Sequence, residues 1–219
     1  MIRIHTFSGG GFGENGYLLE FEESSSGVAI DPGAAATSMV RHLEDRGTEL
    51  EAILLTHAHL DHVEGLPGLR DRFPQAPIYL HPDDDGLYRG VDAQARAFNL
   101  PLVGPLPPTD RALRHGDVLT FQGVSLDVRH APGHAPGHVI FVLPREQVAF
   151  VGDVIFRGAI GRADLLGGDF YQLMASIRDQ VLTLPDDFTL LSGHGPETTV
   201  GWERKTNPFL VGDFGGELA

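Results

Sequence analysis

Apolar and polar positions along the chain change over in short runs, which is the rhythm of strands more than of long helices. Ile2 to Phe7 and Tyr17 to Glu22 read as strands. Ser24-Ser25-Ser26-Gly27 reads as a turn and Val28 to Ile30 as a third strand. Thr37 or Ser38 is the expected cap of a helix that runs through Arg46, with Gly47 as its stop. Ala52 to Leu55 is a short, wholly apolar strand, and Ile78 to Leu80 is another. Val91 to Asp110 is Pro-rich and reads as a loop excursion. Val118 to Phe121 and Val124 to Arg129 alternate around Gln122-Gly123, a hairpin pattern. Strands Val139 to Leu143 and Val148 to Val151 follow. Phe170 to Leu182 is predicted helical, with Leu173, Ile177 and Val181 on one stripe. Phe188 to Leu191 is the last strand. Two runs of strands with few helices between them predict two sheets face to face with helices outside. No internal repeat or low-complexity segment interrupts this, so a single domain over residues 1–219 is expected.

Gly11-Phe12-Gly13-Glu14-Asn15-Gly16 fits G-x-G-x-x-G after a strand. A dinucleotide site also requires a helix opening at the last glycine. Here Tyr17-Leu18-Leu19-Glu20-Phe21 follows and meets a Ser-rich turn. The glycines are therefore predicted to make a hairpin loop.

Composition narrows the classes. The 219 residues are 42% hydrophobic, 21% charged and 8% aromatic, enough apolar material for one sizeable core. No apolar run is long enough to span a membrane. The start, MIRIHTFSGGGFGENGY, lacks the basic-then-apolar layout of a signal peptide, so a cytoplasmic protein is expected. With no cysteine, there is neither a disulfide nor a thiolate nucleophile or ligand. Lys plus Arg is 16 against 30 Asp plus Glu, a formal charge of −14. Such a surface repels nucleic acid and anionic membranes, so neither is an expected partner. An anionic small molecule needs a local cation.

Chemistry concentrates at strand ends. Ile53-Leu54-Leu55 runs into Thr56-His57-Ala58-His59-Leu60-Asp61-His62. Leu126-Asp127-Val128 runs into Arg129-His130-Ala131-Pro132-Gly133-His134, Phe150-Val151 into Gly152-Asp153, and Leu190-Leu191 into Ser192-Gly193-His194. Rigid strands behind such clusters fix their geometry. His57 and His59 are two apart, so an extended segment points them to one side. Asp61 and His62 follow a turn, into a helix expected near Val63, and face a second point. Imidazole and carboxylate are ligands for Zn²⁺, Fe²⁺ or Mn²⁺. Structural zinc sites favour cysteine, whereas His/Asp sets for more than one ion are typical of hydrolytic centres with open positions. Satisfied core or surface histidines are the commonplace alternative, and the density of this spacing argues against it.

The pattern H-x-H-x-D-H resembles the signature of the metallo-β-lactamase superfamily. Ala29-Ile30-Asp31-Pro32-Gly33 resembles the family's aspartate loop. "APGHAPGH" (131–138) resembles the T-P-G-H-T-x-G-H segment of glyoxalase II and its relatives. "FVGDVIFRGAIGRADL" (150–165) resembles the segment with the bridging aspartate, and "LLSGHGPETTVGWERKTNPFL" (190–210) the end of the short, single-domain glyoxalase II type. The resemblance implies an α+β fold, a four-layer αββα sandwich with two divalent ions at the edge of its sheets. Carried over by position, His57, His59 and His134 hold the first ion. Asp61, His62 and His194 hold the second, and Asp153 bridges both. Zinc is the expected ion, with iron or manganese as alternatives.

Other residues are weighed individually. His138, four after His134, is expected to support or pack against the site. His5, His42, His81, His115 and His130 show no converging pattern and are expected on the surface or in the core. Asp31 either orients a ligand histidine or shapes a turn with Pro32 and Gly33. Arg162 falls where the family places a basic substrate-facing residue, a surface arginine being the alternative. The chain ends soon after Phe209, where larger glyoxalase II enzymes continue into a helical domain that grips glutathione. Gly195-Pro196-Glu197 stands where they carry a tyrosine-bearing segment. A broad preference among acylthiols is therefore expected, unless the Pro-rich Val91 to Asp110 excursion, with Phe98, supplies a substitute wall that restores selectivity.

The implied activity is thioester hydrolysis, on S-lactoylglutathione or a related acylthiol. Two cations ~3.5–4 Å apart can share a hydroxide as nucleophile, with Asp61 and Asp153 as the expected catalytic residues. A metal stabilises the oxyanion. A thiolate of pKa ~8.5 leaves without a strong general acid. The alternatives are a mononuclear iron persulfide dioxygenase, a lactonase, a β-lactamase, and a metal-bound binding or regulatory domain without turnover.

Overall fold

A computed structural model describes residues 2–212. The expectations about the two chain ends fall wholly or partly outside that range. The chain divides into two compact units. One runs through Leu113 and includes Thr120–Val124; the other holds Arg114–Leu119 and the chain from Ser125 onward.

In chain order the elements are β1 (Ile2–Gly9), β2 (Glu14–Phe21), β3 (Ser26–Ile30), α1 (Ala36–Arg46), β4 (Glu49–Leu54), α2 (Leu60–Val63), α3 (Leu66–Arg72), β5 (Ile78–Leu80), α4 (Asp85–Arg89), α5 (Val91–Ala97) and β6 (Arg111–Ala112). Then come β7 (Val118–Phe121), β8 (Val124–His130), β9 (Val139–Leu143), β10 (Val148–Gly152), β11 (Ile155–Phe156), β12 (Ala159–Ile160), α6 (Phe170–Ser176), β13 (Thr189–Ser192), β14 (Thr198–Thr199), α7 (Val200–Thr206) and α8 (Pro208–Val211).

The first sheet has the order β1-β2-β3-β4-β5-β6. Its first two pairings are antiparallel and the next three parallel. The glycine-rich loop joins β1 to β2, with Gly9 paired to Glu14 and Gly10 and Gly13 at positive φ. It is the hairpin loop that the strand after it predicted. β3, α1 and β4 form a parallel crossover, and Ile30 lies beside Leu54. α1 buries Met39 and Leu43, one turn apart. It stops at Gly47, whose φ of 63° suits glycine, while Thr48 N–H returns to Leu43 O at 2.9 Å. The start differs from expectation. Ala35 precedes the first turn with no side-chain cap, and Thr37 and Ser38 lie inside the helix. Packing of the Met39–Leu43 stripe, not a cap, fixes where it begins.

A second difference lies at Val91–Ala97, which is helical although the surrounding excursion reads as a loop. Val91-Asp92-Ala93-Gln94-Ala95-Arg96-Ala97 is made mostly of helix formers, and the first proline of the stretch is Pro101. Val91 and Ala95, at i and i+4, are its buried face. Gln94 ties it down by donating to Ala58 O and accepting from Leu60 N–H, both at 3.0 Å.

The second sheet has the order β14-β13-β10-β9-β8-β7. Gln122 and Gly123 both take positive φ, as a two-residue hairpin turn requires. β10 runs antiparallel to β9 and parallel to β13. Leu173, Ile177 and Val181 are fully buried in this unit's core beside Ile140, Val142 and Leu190. The predicted stripe is right, but the helix is α only through Ser176. The next turn widens to a π geometry over Ile177–Val181, with Leu182 N–H bonded to Ile177 O. No described helix is long and apolar enough to cross a membrane.

Candidate metal centre

Two sets of ligand-type side chains are built, one in each unit, by the same device. Adjacent parallel strands end side by side, and the residues that leave them emerge as neighbours.

In the first unit the pair is β3 and β4. Asp31 N–H donates to Leu54 O at 3.0 Å, continuing the ladder one step past β3. Asp31 then turns with φ of 44°. Its Oδ1 accepts from Thr56 N–H at 2.7 Å and its Oδ2 from Thr56 Oγ1–H at 2.6 Å. The Thr56 hydroxyl has only one proton, already given to Asp31. So at 3.0 Å it accepts from His57 Nδ1–H. Asp31 Oδ2 also stands 3.1 Å from His62 Nδ1. Asp31 therefore shapes the turn, and it reaches His57 through the Thr56 hydroxyl. The imidazoles are close, His57 to His59 at 4.7 Å and His57 to His62 at 4.1 Å between ring centres. His57 and His62 are fully buried, His59 nearly so.

The turn that presents Asp61 and His62 comes earlier than expected, with α2 opening at Leu60. Gly33 explains why the chain can pass so close. Its N–H donates to His62 O, and a Cβ there would lie 2.1 Å from Asp61 O. Glu64, one turn beyond Asp61, has its carboxyl pushed up by burial and then by the Asp61 charge.

In the second unit the pair is β10 and β13. Gly152 lies beside Ser192, and Gly193 N–H donates to Gly152 O at 2.8 Å. A bulge between Phe150 and Gly152 re-aims the strand end before Asp153. His134 arrives on the loop from β8 to β9. His134 Nε2 and His194 Nε2 each stand 3.4 Å from Asp153 Oδ2. The short β11–β12 hairpin then carries the chain back past Asp153, so that Arg162 O accepts from His134 Nδ1–H at 2.8 Å. Gly161 makes that return fit, because a Cβ there would stand 1.8 Å from Asp153 O. His138 supports the site as expected: its Nε2 accepts from Asp153 N–H at 3.1 Å.

The donor chemistry fits a divalent cation. A carbonyl only accepts, so His134 carries a proton on Nδ1, and in the neutral ring the Nε2 lone pair faces Asp153 Oδ2. Histidine nitrogens gathered around a buried carboxylate oxygen are a donor set that suits a divalent cation. Likewise Thr56 keeps a His57 proton on Nδ1, which in the neutral ring puts the lone pair on Nε2.

Sequence reasoning placed Arg162 by its side chain, but the structure joins the site through its carbonyl. The exposed guanidinium forms a two-pronged pair with Asp164, at 2.9 Å on each arm. Thr56 and Gly161 were missed. The signal for Thr56 was its hydroxyl directly before the histidine pair; Gly161 gave none beyond being a glycine. Of the remaining histidines, His81 accepts from Asp83 N–H and His115 from His130 N–H.

A family model described as the Metallo-beta-lactamase superfamily matches residues 9–194. The chain is 37% identical over 199 residues to the hydroxyacylglutathione hydrolase GloC of Haemophilus influenzae, covering 91% of this chain and 93% of that one. Among solved structures, the BLEG-1 B3 metallo-beta-lactamase is 37% identical with a TM-score of 0.88, over 96% of this chain and 100% of that one. TTHA1623 in a di-iron-bound form is 42% identical with a TM-score of 0.85, over 94% and 100%.

Proposed function

The chain belongs to the metallo-beta-lactamase superfamily and has its α+β fold, and from that membership we propose that it hydrolyses thioesters of the hydroxyacylglutathione class. The observation that carries the metal dependence is the pair of histidine Nε2 atoms facing one carboxylate oxygen of Asp153. In this reading His57, His59 and His134 hold one ion, Asp61, His62 and His194 the other, and Asp153 touches both. Bound divalent ions supply a water of lowered pKa and polarise the scissile carbonyl. Zinc suits a His/Asp set, and the di-iron form of TTHA1623 makes iron the alternative.

The chain's own residues supply position. Asp31, through Thr56, keeps a proton on His57 Nδ1; Arg162 O and His138 hold His134 and Asp153. An apolar groove lined by Phe12, Pro67, Phe98, Leu102 and Glu64 borders the turn after Asp61 and offers a wall to the substrate. Arg162, released from Asp164, is the cation for an anionic carrier. The substrate class is supported by GloC, which this chain matches nearly end to end. The identity with BLEG-1 gives a second reading, hydrolysis of a β-lactam.

The test is thiol release from S-lactoylglutathione by protein stripped with chelator and then reloaded with zinc or iron. Activity that disappears on stripping and returns on reloading is expected. A β-lactam turned over while the thioester is not would favour the second reading. Oxygen consumption with glutathione persulfide, and no thiol release, would sink both.

A further inference from the structure

A second convergence of ligand atoms lies in the first unit and shares no residue with the centre above. We propose that His5, Glu20 and His42 form a separate zinc site that clamps α1 to β1 and β2.

The site is set by strand register. Glu20 on β2 pairs with Arg3 on β1, so His5, two residues on, lies diagonally across on the same face. His42 comes from α1, one turn before Arg46. His5 Nε2 is 2.8 Å from Glu20 Oε2, and His42 Nε2 is 3.7 Å from the same oxygen. The two rings are 4.5 Å apart, and one ligand atom from each of the three residues falls within 4.8 Å of the others. Ligand atoms of a tetrahedral zinc stand about 3.3 Å apart. The 2.8 and 3.7 Å separations bracket that value, so shifts of a few tenths of an ångström admit the ion.

The carboxylate is ready for it. Glu20 Oε1 accepts from Arg46 Nε at 2.7 Å and from Thr48 Oγ1 at 2.9 Å, which leaves Oε2 turned to the histidines. Glu20 is buried, and these two bonds occupy its other oxygen. His42 Nε2 is buried and makes no hydrogen bond, at a cost that a bound ion would remove. Both imidazoles keep about a quarter of their side-chain surface exposed, so the ion has a path in and room for a water ligand. Two imidazoles and one carboxylate with an open position suit zinc better than calcium or magnesium, which take oxygen ligands.

Apo protein is dialysed against micromolar Zn²⁺ and its zinc counted by elemental analysis, for wild type, His42→Phe and His5→Phe. The wild type should carry one equivalent more than either variant, and its melting temperature should rise more with added Zn²⁺. Equal zinc in all three overturns the site. A measurement on the wild type alone covers a variant that fails to fold. In NMR spectra of the histidine side chains, Zn²⁺ should move His5 and His42 together; signals that stay fixed through saturation overturn the proposal. Neither readout depends on thioester turnover.

Discussion

At the residue scale, small groups behind the proposed ligands decide what those ligands can do. Thr56 relays Asp31 to His57 through one hydroxyl. Thr56→Val keeps the shape and removes that relay, and such losses weaken metal binding by roughly 10–100-fold. A competition titration with a chelator should read that loss, and unchanged affinity would remove Thr56 from the account. Gly161→Ala should be harsher, since its Cβ would meet the Asp153 carbonyl. The backbone has to shift on the order of 1 Å, and misplacement of that size costs about 10²-fold in rate. Steady-state kinetics and metal content should fall together. Arg162→Ala should raise KM for a glutathione thioester more than it lowers kcat, while Asp164→Ala, which frees the guanidinium, should lower KM. Identical kinetics in the Arg162 variant would leave that side chain a surface feature.

Among the elements, the β1–β2–α1 corner has a stability that depends on acid. Burial alone would push the Glu20 carboxyl up. The bonds from Arg46, Thr48 and His5, with the Arg46 charge, outweigh it and bring it from 4.5 to about 2. A carboxyl held down in the folded state contributes stability that is full above 4.5 and lost as pH falls toward 2. At 1.36 kcal/mol per unit the contribution is on the order of 3 kcal/mol. Glu20→Gln should therefore cost stability at pH 7, and the gap from wild type should close between pH 4.5 and 2. Urea denaturation across that window checks it; a gap that persists at the acid end would mean lost packing, not lost charge. Helix α6 packs against the loop that carries His134 in its own unit. Ser176 donates to Pro132 O at 2.6 Å, and Gly133 at φ of 126° lets the Leu173 backbone approach the loop that carries His134.

For the whole molecule, the formal charge of −14 sets how an anionic substrate arrives. Repulsion between like charges slows encounter, and salt screens it, the Debye length falling from about 30 Å at 0.01 M to 8 Å at 0.15 M. kcat/KM for a glutathione thioester should rise a few-fold over that range, while a neutral thioester stays flat. A fall with salt would show instead that a local cation such as Arg162 governs the approach.

The strands, the hairpin turns and the residues proposed to carry the metal chemistry were legible in the letters alone. Apolar runs and the H-x-H-x-D-H spacing are local signals, and locality is what a single chain of letters preserves. The class of fold was legible too, through motifs spread along the chain. Where α1 begins, that Val91–Ala97 is helical and that Phe170–Val181 changes pitch halfway were decided by tertiary packing, which outweighs weak local preferences. So were the roles of Thr56, Gly161, the Arg162 carbonyl and the His5–Glu20–His42 cluster. Each of these depends on strand register, or on a backbone returning within a few ångströms of residues distant in sequence, and no spacing along the chain encodes such an approach.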